Sequence, residues 1–124
     1  MHELSIALGL VESASDEVRR RGLGPVEALH LRIGRASGVL PDALRFGWTV
    51  ATEGTTLAGS RLEIVEVPAA LHCSACGEER EVESAWSMRC PACGSLATRL
   101  VRGRELDLVG LDVADPPAPG RMQG

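Results

Sequence analysis

Four cysteines in the second half of the chain form two closely spaced pairs. The first pair is Cys73 and Cys76, the second is Cys90 and Cys93, and a glycine follows each pair. Two residues between paired cysteines let both thiolates reach the same ion, and the glycine permits the positive φ of a tight turn. The spacing therefore predicts one structural zinc ion in a closed tetrahedral site made by all four sulfur atoms.

Two alternatives for the cysteines are a disulfide and an iron site of the rubredoxin type. The first residues of the chain lack the basic and apolar regions of a signal peptide. We therefore expect a reducing, cytoplasmic location, which favours metal binding over disulfides. Rubredoxin-type iron lies in an aromatic core, whereas the aromatic residues of this chain are Phe46, Trp48 and Trp86. We expect Trp86 to cover the small core of the cysteine segment instead.

The composition argues against two classes of partner. The formal net charge is -4, lysine is absent and the arginines are dispersed, whereas nucleic-acid-binding proteins cluster their cations. The densest basic run, 19–21, lies where a helix is expected to end and there complements the helix dipole. Since no apolar stretch approaches the ~18 residues that span a bilayer, we expect neither a nucleic-acid nor a membrane partner.

The chain also has three histidines, which are further candidate ligands. At His2, one ion can be chelated by the α-amine, backbone nitrogens and the imidazole, a planar set of nitrogens that suits Ni(II) or Cu(II). His2 can also be interpreted as a solvated side chain at a frayed chain end, before a helix-starting Glu3. His72 either lies beside the zinc ligands or is exposed, and His30 is a surface or packing residue of a strand.

Apolar periodicity predicts the elements that must position these residues. The predicted elements are helices from Leu4 to about residue 21 and from Pro41 to about Thr52, and strands at 26–34, 61–67 and about 104–113. A change of parity near Val109 and Gly110 indicates a β-bulge in the last strand. The apolar positions at helical spacing are Leu4, Leu8, Val11, Ala14 and Val18 in the first helix and Leu44, Trp48 and Ala51 in the second.

We expect an α+β fold in which a small three-stranded sheet carries two helices on one face. The cysteine segment, 71–100, has few apolar residues and interrupts this sheet as an inserted zinc ribbon that depends on its metal for order. The α/β domain accordingly comprises 1–70 and 101–113. The remaining residues, 114–124, include three prolines and are expected to form a disordered tail.

Several segments, taken together, resemble the HypA/HybF family of hydrogenase nickel-incorporation proteins. They are Met1-His2-Glu3-Leu4-Ser5, Gly38-Val39-Leu40-Pro41-Asp42-Ala43-Leu44-Arg45-Phe46, Gly54-Thr55, Leu62-Glu63-Ile64, Val67-Pro68-Ala69, both cysteine pairs and Gly103-Arg104-Glu105-Leu106. The resemblance extends over about 1–113, which is nearly the whole chain. Neither the cysteine pairs nor the N-terminus would identify the family without the other segments.

The resemblance implies a nickel metallochaperone, with an N-terminal nickel-binding α/β domain and an inserted zinc ribbon. It places nickel on the amine of Met1, the backbone nitrogen and imidazole of His2 and the backbone of Glu3, with the Glu3 carboxylate as an outer contact. It also implies a GTPase nickel-insertion partner and delivery to the hydrogenase large subunit, or in some organisms to urease. Such a carrier is not an enzyme, and its state, monomer or homodimer, stays open.

The chain departs from the family pattern at two places. Arg35 stands where many members carry an acidic residue, and Gly77 and Gly94 stand where some carry a histidine after a cysteine pair. His72 is therefore the histidine left to influence zinc coordination. Two other functions are weighed against the carrier: a zinc-ribbon module that recognises protein or nucleic acid, and a hydrolytic enzyme, for which the chain lacks a G-x-S-x-G context.

Overall fold

The computed structural model describes residues 3–82, 88–96 and 99–114. Its elements in chain order are α1 (Glu3–Arg21), β1 (Val26–Gly34), α2 (Pro41–Ala51), β2 (Arg61–Val67), β3 (Ala69–Cys73), β4 (Glu78–Val82), β5 (Arg99–Arg102) and β6 (Leu106–Val113). The predicted helices and the first two predicted strands agree closely with α1, α2, β1 and β2. The predictions for Trp86 and for the tail beyond residue 114 lie outside the described residues.

The first sheet has the strand order β2-β1-β6, with β1 in the centre. β1 and β2 are parallel, and α2 supplies the crossover connection that parallel neighbours need. β6 pairs with β1 in the antiparallel direction, so the chain returns to this sheet after the cysteine segment. The predicted three-stranded sheet, with an insertion between its second and third strands, is confirmed.

Both helices cover the same face of the first sheet, because their apolar sides form one core with alternate residues of the strands. Leu44 and Trp48 of α2 pack there, as predicted, and the Trp48 indole donates hydrogen bonds to the carbonyl and hydroxyl oxygens of Ser60. The buried residues of this core are Ala7, Ala14, Val26, Leu29, Leu31, Ile33, Val39, Leu44, Trp48, Leu57 and Leu62.

The predicted core-facing side of α1 is wrong at its first two positions. Leu4 and Leu8 are 44% and 53% exposed, whereas Ala7 is fully buried. At Leu4 the start of α1 approaches α2 through its main chain: a Cβ placed on Gly47 would lie 3.4 Å from the Leu4 Cα. This close approach turns the Leu4 side chain away from the core. The other three predicted positions of α1 do pack on the core.

The cysteine segment forms a second sheet with the strand order β4-β3-β5, in which both pairings are antiparallel. Its strands were not predicted, since the sequence of β4 is mostly charged and strand formers are depleted there. The core beside this sheet consists of Leu71, Cys73 and Cys90, with Cys76 and Val82 partly buried against them. Most of this core is therefore made of cysteine.

The two sheets meet at a close approach of main chain. A Cβ on Gly34, at the end of β1, would lie 2.0 Å from the carbonyl carbon of Gly103, and a Cβ on Gly103 would lie 2.7 Å from the Ala69 Cα. The Ala36 N–H donates to the Gly103 carbonyl oxygen over 2.6 Å. Glycine is required at both positions, because any side chain would push the two connections between the sheets apart.

The pairing of β6 with β1 contains the predicted irregularity. His30 pairs with Gly110 but the next residue, Leu31, pairs with Leu108, so Val109 has no partner on β1. β6 thus has one residue more than β1 at this point of the ladder, which defines a β-bulge. The bulge at Val109 is confirmed, and it restores the parity that directs Leu108 and Leu111 onto the core.

Candidate metal centre

Both cysteine pairs adopt the same tight turn. The Gly77 N–H donates to the Cys73 carbonyl over 2.7 Å, and the Gly94 N–H donates to the Cys90 carbonyl over 2.8 Å. The φ angles of the two glycines are 72° and 75°, a region that residues with a Cβ adopt only with strain. The predicted positive φ after each pair is confirmed. It reverses the chain so that both thiols of a pair face the same point.

The two turns are held by different neighbours. β3 ends at Cys73, which pairs across the hairpin with Glu78 at the start of β4. In the second turn the Cys90 N–H donates to the Ser95 carbonyl over 2.8 Å, and an isolated bridge joins Arg89 to Leu96. Each turn is therefore closed by its own short hairpin, and the two hairpins bring their thiols together.

The four sulfur atoms form one compact group, all within 4.8 Å of one another. Cys73 Sγ lies 3.6 Å from Cys93 Sγ, and Cys76 Sγ lies 3.8 Å from Cys90 Sγ. A tetrahedral zinc ion with Zn–S bonds of ~2.3 Å requires sulfur atoms about 3.8 Å apart. The two shorter distances match this spacing, so the cluster fits a metal ion such as zinc. Within the described ranges it is the group of His, Cys, Asp and Glu side chains that could hold a metal.

The thiols of the cluster differ in acidity. Hydrogen bonds from the hydroxyl and then the backbone N–H of Ser95 lower the pKa of Cys93 to about 6. Hydrogen bonding with the other thiols, Cys93 first, raises the pKa of Cys76 to about 12. The split arises because a thiol that keeps its proton can donate it to a neighbouring thiolate, which favours the charged form of the acceptor and the neutral form of the donor. A bound cation removes this conflict, since every coordinating thiol is deprotonated.

One charged residue of the site was missed by the sequence analysis. Arg80 lies opposite Leu71 in the β3–β4 register, which places it on the same face of the sheet as Cys73. A hydrogen bond with Cys76, followed by the charge of Glu78, raises the pKa of Arg80. Because four thiolates outweigh one divalent ion, this cation offsets part of the negative charge of the site. Strand alternation would have identified Arg80 if β4 had been recognised.

Two histidines lie apart from the cysteine cluster. His72 is half-buried in β3, with Glu79 and Arg99 as its cross-strand neighbours, and it is not part of the cluster. His30 lies on the face of the first sheet that the helices leave open, where its Nε2 is 2.9 Å from Asp112 Oδ2. Its position is that of a surface residue on a strand, as the alternation predicts.

The predicted nickel ligands lie at the other end of the molecule. Met1 and His2 are outside the described residues, and Glu3 is the first residue of α1. The Glu3 carboxylate accepts a long hydrogen bond, 3.4 Å, from the N–H of Leu40 just before α2. The first four N–H groups of an α-helix have no acceptor within the helix, so helix formation leaves the backbone nitrogen of Glu3 unused. The nickel ligand set stays a prediction.

Comparison with known proteins identifies the family of this chain. The family model described as hydrogenase/urease nickel incorporation, metallochaperone, hypA, matches residues 1–113. The chain belongs to this family. The match includes both the residues predicted to hold nickel and the four cysteines, so the resemblance noted from the sequence is confirmed at the level of the family.

Curated relatives match along almost their full length. A hydrogenase maturation factor HypA from a Roseiflexus species is 45% identical over 115 residues, which cover 93% of this chain and 94% of the relative. The protein of the same name from Deinococcus radiodurans is 44% identical over 108 residues, 87% of this chain and 89% of its own. These identities place the chain with proteins named for hydrogenase maturation.

Solved structures support the same fold. A solution structure of the nickel metallochaperone HypA from Helicobacter pylori aligns with a TM-score of 0.64 at 20% identity, covering 93% of this chain and 100% of that one. A second solution structure, of a HypA protein, aligns with a TM-score of 0.67 at 20% identity, covering 92% and 97%. The arrangement of two helices and small sheets is thus the fold of these proteins. Neither helix of the described residues is long and apolar enough to cross a membrane.

Proposed function

We propose that this protein is a nickel metallochaperone, which binds Ni(II) at its N-terminus and releases it during maturation of [NiFe] hydrogenase or of urease. The observation that carries the proposal is the family match over 1–113, which extends from Met1-His2-Glu3 through the cysteine cluster. In this reading the protein is a carrier without a reaction of its own. Its partners are a GTPase nickel-insertion protein and the hydrogenase large subunit, and it acts in the cytoplasm.

The proposed nickel ligands are the amine of Met1, the backbone nitrogen and imidazole of His2 and the backbone nitrogen of Glu3. Planar nitrogen ligands suit Ni(II) better than zinc, which has no preference for that geometry. Two features of α1 support the assignment. The N–H of Glu3 is not required by the helix, and the positive end of the helix dipole stabilises an amide nitrogen that has lost its proton.

The proposed role of Cys73, Cys76, Cys90 and Cys93 is to hold a structural zinc ion. Four sulfur ligands leave no open position for a substrate, so the cluster is unsuited to exchanging cargo. The chain then divides into a nickel-binding domain, 1–70 and 101–113, and a zinc ribbon, 71–100. A ligand set on the first residues of the chain can be displaced one ligand at a time, which suits handover to a partner.

The test is replacement of His2 by Ala in protein with a native, untagged N-terminus, because any leader residue would remove the amine ligand. We expect nickel binding, measured by equilibrium dialysis with metal analysis, to be abolished while zinc stays at one ion per chain. His30→Ala is the matched control, since it removes an imidazole from the surface of the first sheet. Nickel affinity that survives His2→Ala would overturn the N-terminal assignment, whether or not it falls in the control.

Lability gives an independent test of the two roles. We expect a chelator to remove nickel well before zinc, because a closed four-sulfur site must open before its ion can leave. Metal content is followed during dialysis against increasing chelator concentrations. Simultaneous loss of both ions would contradict the division between exchangeable cargo and structural metal.

A further inference from the structure

The first turn of α1 is held by α2 through two contacts that lie at different points along α2. The first contact is main chain against main chain at Gly47, a buried position in the interior of α2. A Cβ added there would lie 3.4 Å from the Cα and 3.5 Å from the N of Leu4, and 3.6 Å from the carbonyl C of Glu3. These are ordinary van der Waals distances, so a methyl group fits but anything larger meets the Glu3–Leu4 peptide.

The second contact is made at the start of α2. Leu40 occupies the position before the helix, and its apolar side chain cannot accept a hydrogen bond from the first turn. Pro41 follows it and lacks an N–H group. The Glu3 carboxylate, 37 residues away, accepts the Leu40 N–H at 3.4 Å and brings a negative charge to the positive end of α2. Glu3 thus interacts with α2 through its side chain as well as its backbone.

We propose that α2 positions the nickel-binding end of the chain, with Gly47 and the Leu40 N–H as the positioning groups. The inference rests on the proposed function. The two contacts fix the place and direction of the Glu3–Leu4 peptide, and the Glu3 backbone nitrogen belongs to the proposed ligand set. A ligand set that is already oriented loses less conformational entropy when it binds its ion. Neither group touches nickel, and both act through the first turn of α1.

Two features of the sequence agree with this role. Helix interiors favour residues with longer side chains over glycine, yet α2 has a residue no larger than alanine at the point where it meets α1. Leu4 is also exposed although its type favours burial. Both follow if the main chain of the first turn, rather than its side chains, must lie against α2.

The experiment compares nickel affinity and the visible absorption band of bound Ni(II) in variants with a native N-terminus. Gly47→Val adds atoms beyond the Cβ and must displace the Glu3–Leu4 peptide, so we expect about tenfold weaker nickel binding and a changed band, in line with the usual cost of overpacking. Gly47→Ala is expected to bind nickel as the native chain does. Gly9→Val, at an exposed helical glycine with nothing within 4 Å of an added Cβ, is the control for a β-branched residue in a helix.

A second pair of variants avoids the core altogether. Leu40→Pro removes the N–H donor, at a φ of -91° that is close to the range of proline, whereas Leu40→Ala keeps the donor. The Leu40 side chain is 65% exposed, so neither change creates a cavity. We expect Leu40→Pro to weaken nickel binding several-fold relative to Leu40→Ala, a smaller effect because the hydrogen bond is long.

The outcomes separate this inference from the proposed function. If the native chain binds nickel and loses it with His2→Ala, but Gly47→Val and Leu40→Pro match their controls, the positioning role is overturned. If only Gly47→Val weakens nickel binding, the role of the Leu40 N–H is overturned. If only Leu40→Pro weakens it, the role of Gly47 is overturned. If Gly47→Val does not fold, the Leu40 pair decides. Failure of the native chain to bind nickel at His2 overturns the proposed function itself.

Discussion

The two sheets of the molecule bury very different amounts of apolar side chain. Among the described residues, the core of the first sheet contains eleven buried side chains from both helices, the strands and the connecting loops. The core beside the second sheet contains Leu71 and two cysteines. Apolar burial stabilises a fold roughly in proportion to the area removed from water. The first sheet can therefore be ordered by packing, whereas we expect the second, which buries little apolar area, to need a bound metal ion.

The contrast also separates the two metal functions that we propose. The cluster of thiols lies in the part of the chain that depends on the ion, and the nickel end lies on the part that does not. We therefore expect gain or loss of nickel to leave the fold unchanged, and loss of zinc to leave nickel binding unchanged. The predictions below test whether the two sheets are stabilised separately, beginning with the largest expected effect.

The largest effect is expected from Cys73→Ser. It removes a buried ligand from the four-sulfur site, and apparent zinc-binding free energies in such sites are about 10–16 kcal/mol. We expect loss of zinc and loss of amide protection in β3, β4 and β5, measured by metal analysis and hydrogen exchange, while α1, α2 and β1 stay protected. Retention of the ribbon's protection without zinc would contradict the view that metal replaces an apolar core.

The next largest effect is expected from Leu31→Ala in the centre of the first sheet. Leu31 is 1% exposed, and leucine-to-alanine changes at such sites cost about 2–5 kcal/mol. Thermal or denaturant unfolding monitored by helix circular dichroism should show this loss, with zinc still at one ion per chain. Val65→Ala, at a 64% exposed position of β2, is the control and should change stability by less than about 0.5 kcal/mol.

A third prediction concerns the place where the sheets meet. Gly34→Ala puts a Cβ 2.0 Å from the Gly103 main chain, so we expect a loss of about 1–3 kcal/mol, the usual range for overpacking. Unlike Leu31→Ala, it should also lower amide protection in β3 and β5, because their connections to the first sheet are displaced. Gly110→Ala, whose added Cβ would come no closer than 4.0 Å to His30, should leave the ribbon unaffected. If Gly34→Ala and Gly110→Ala left the amide protection of β3 and β5 equally unchanged, the contact between Gly34 and Gly103 would not couple the two sheets.

The smallest effect concerns the thiols of the zinc-free protein. The hydrogen bonds from Ser95 that lower the pKa of Cys93 to about 6 join neighbours in the chain, so we expect them to form without zinc even when the strands of the second sheet have lost protection. Because Cys93 is also exposed, its thiolate, the reactive form, should predominate at pH 7. We expect iodoacetamide to modify Cys93 first, at a rate that falls as the pH drops through about 6. Peptide mass spectrometry after brief alkylation measures this order. Ser95→Ala should raise the midpoint pH and slow the reaction at pH 7, and faster modification of Cys73 would contradict the assignment.

Sequence patterns predicted the first sheet well and the second poorly. The strands at 26–34 and 61–67 alternate apolar residues or are rich in Ile and Val, and the structure has them as β1 and β2. β4 was missed because four of its five residues are charged. Such a strand is stabilised by its pairing with β3 and by the cluster beside it, neither of which leaves a periodic signal in β4. Because β4 was not predicted, the position of Arg80 beside the cysteine cluster was not predicted either.

The error at Leu4 has a different cause. A helical stripe read from the sequence assumes that two helices meet through their larger apolar side chains. Here the contact at Gly47 brings main chain against main chain, so the side chains beside it turn outward. Which face of α1 is buried near its start thus depends on a glycine more than forty residues away in the chain.

The sequence by itself determined the ligand chemistry and the local turns: four thiols in two pairs, a glycine with positive φ after each pair, and a histidine next to Met1. These features depend on residue type and on neighbours in the chain, which a sequence shows directly. The tertiary structure decided that two hairpins bring the sulfur atoms within 4.8 Å, that Gly34 lies on Gly103, and that α2 holds the first turn of α1. Those contacts join residues far apart in sequence, and they exist only because burial of the first core and closure of the second sheet bring the distant segments together.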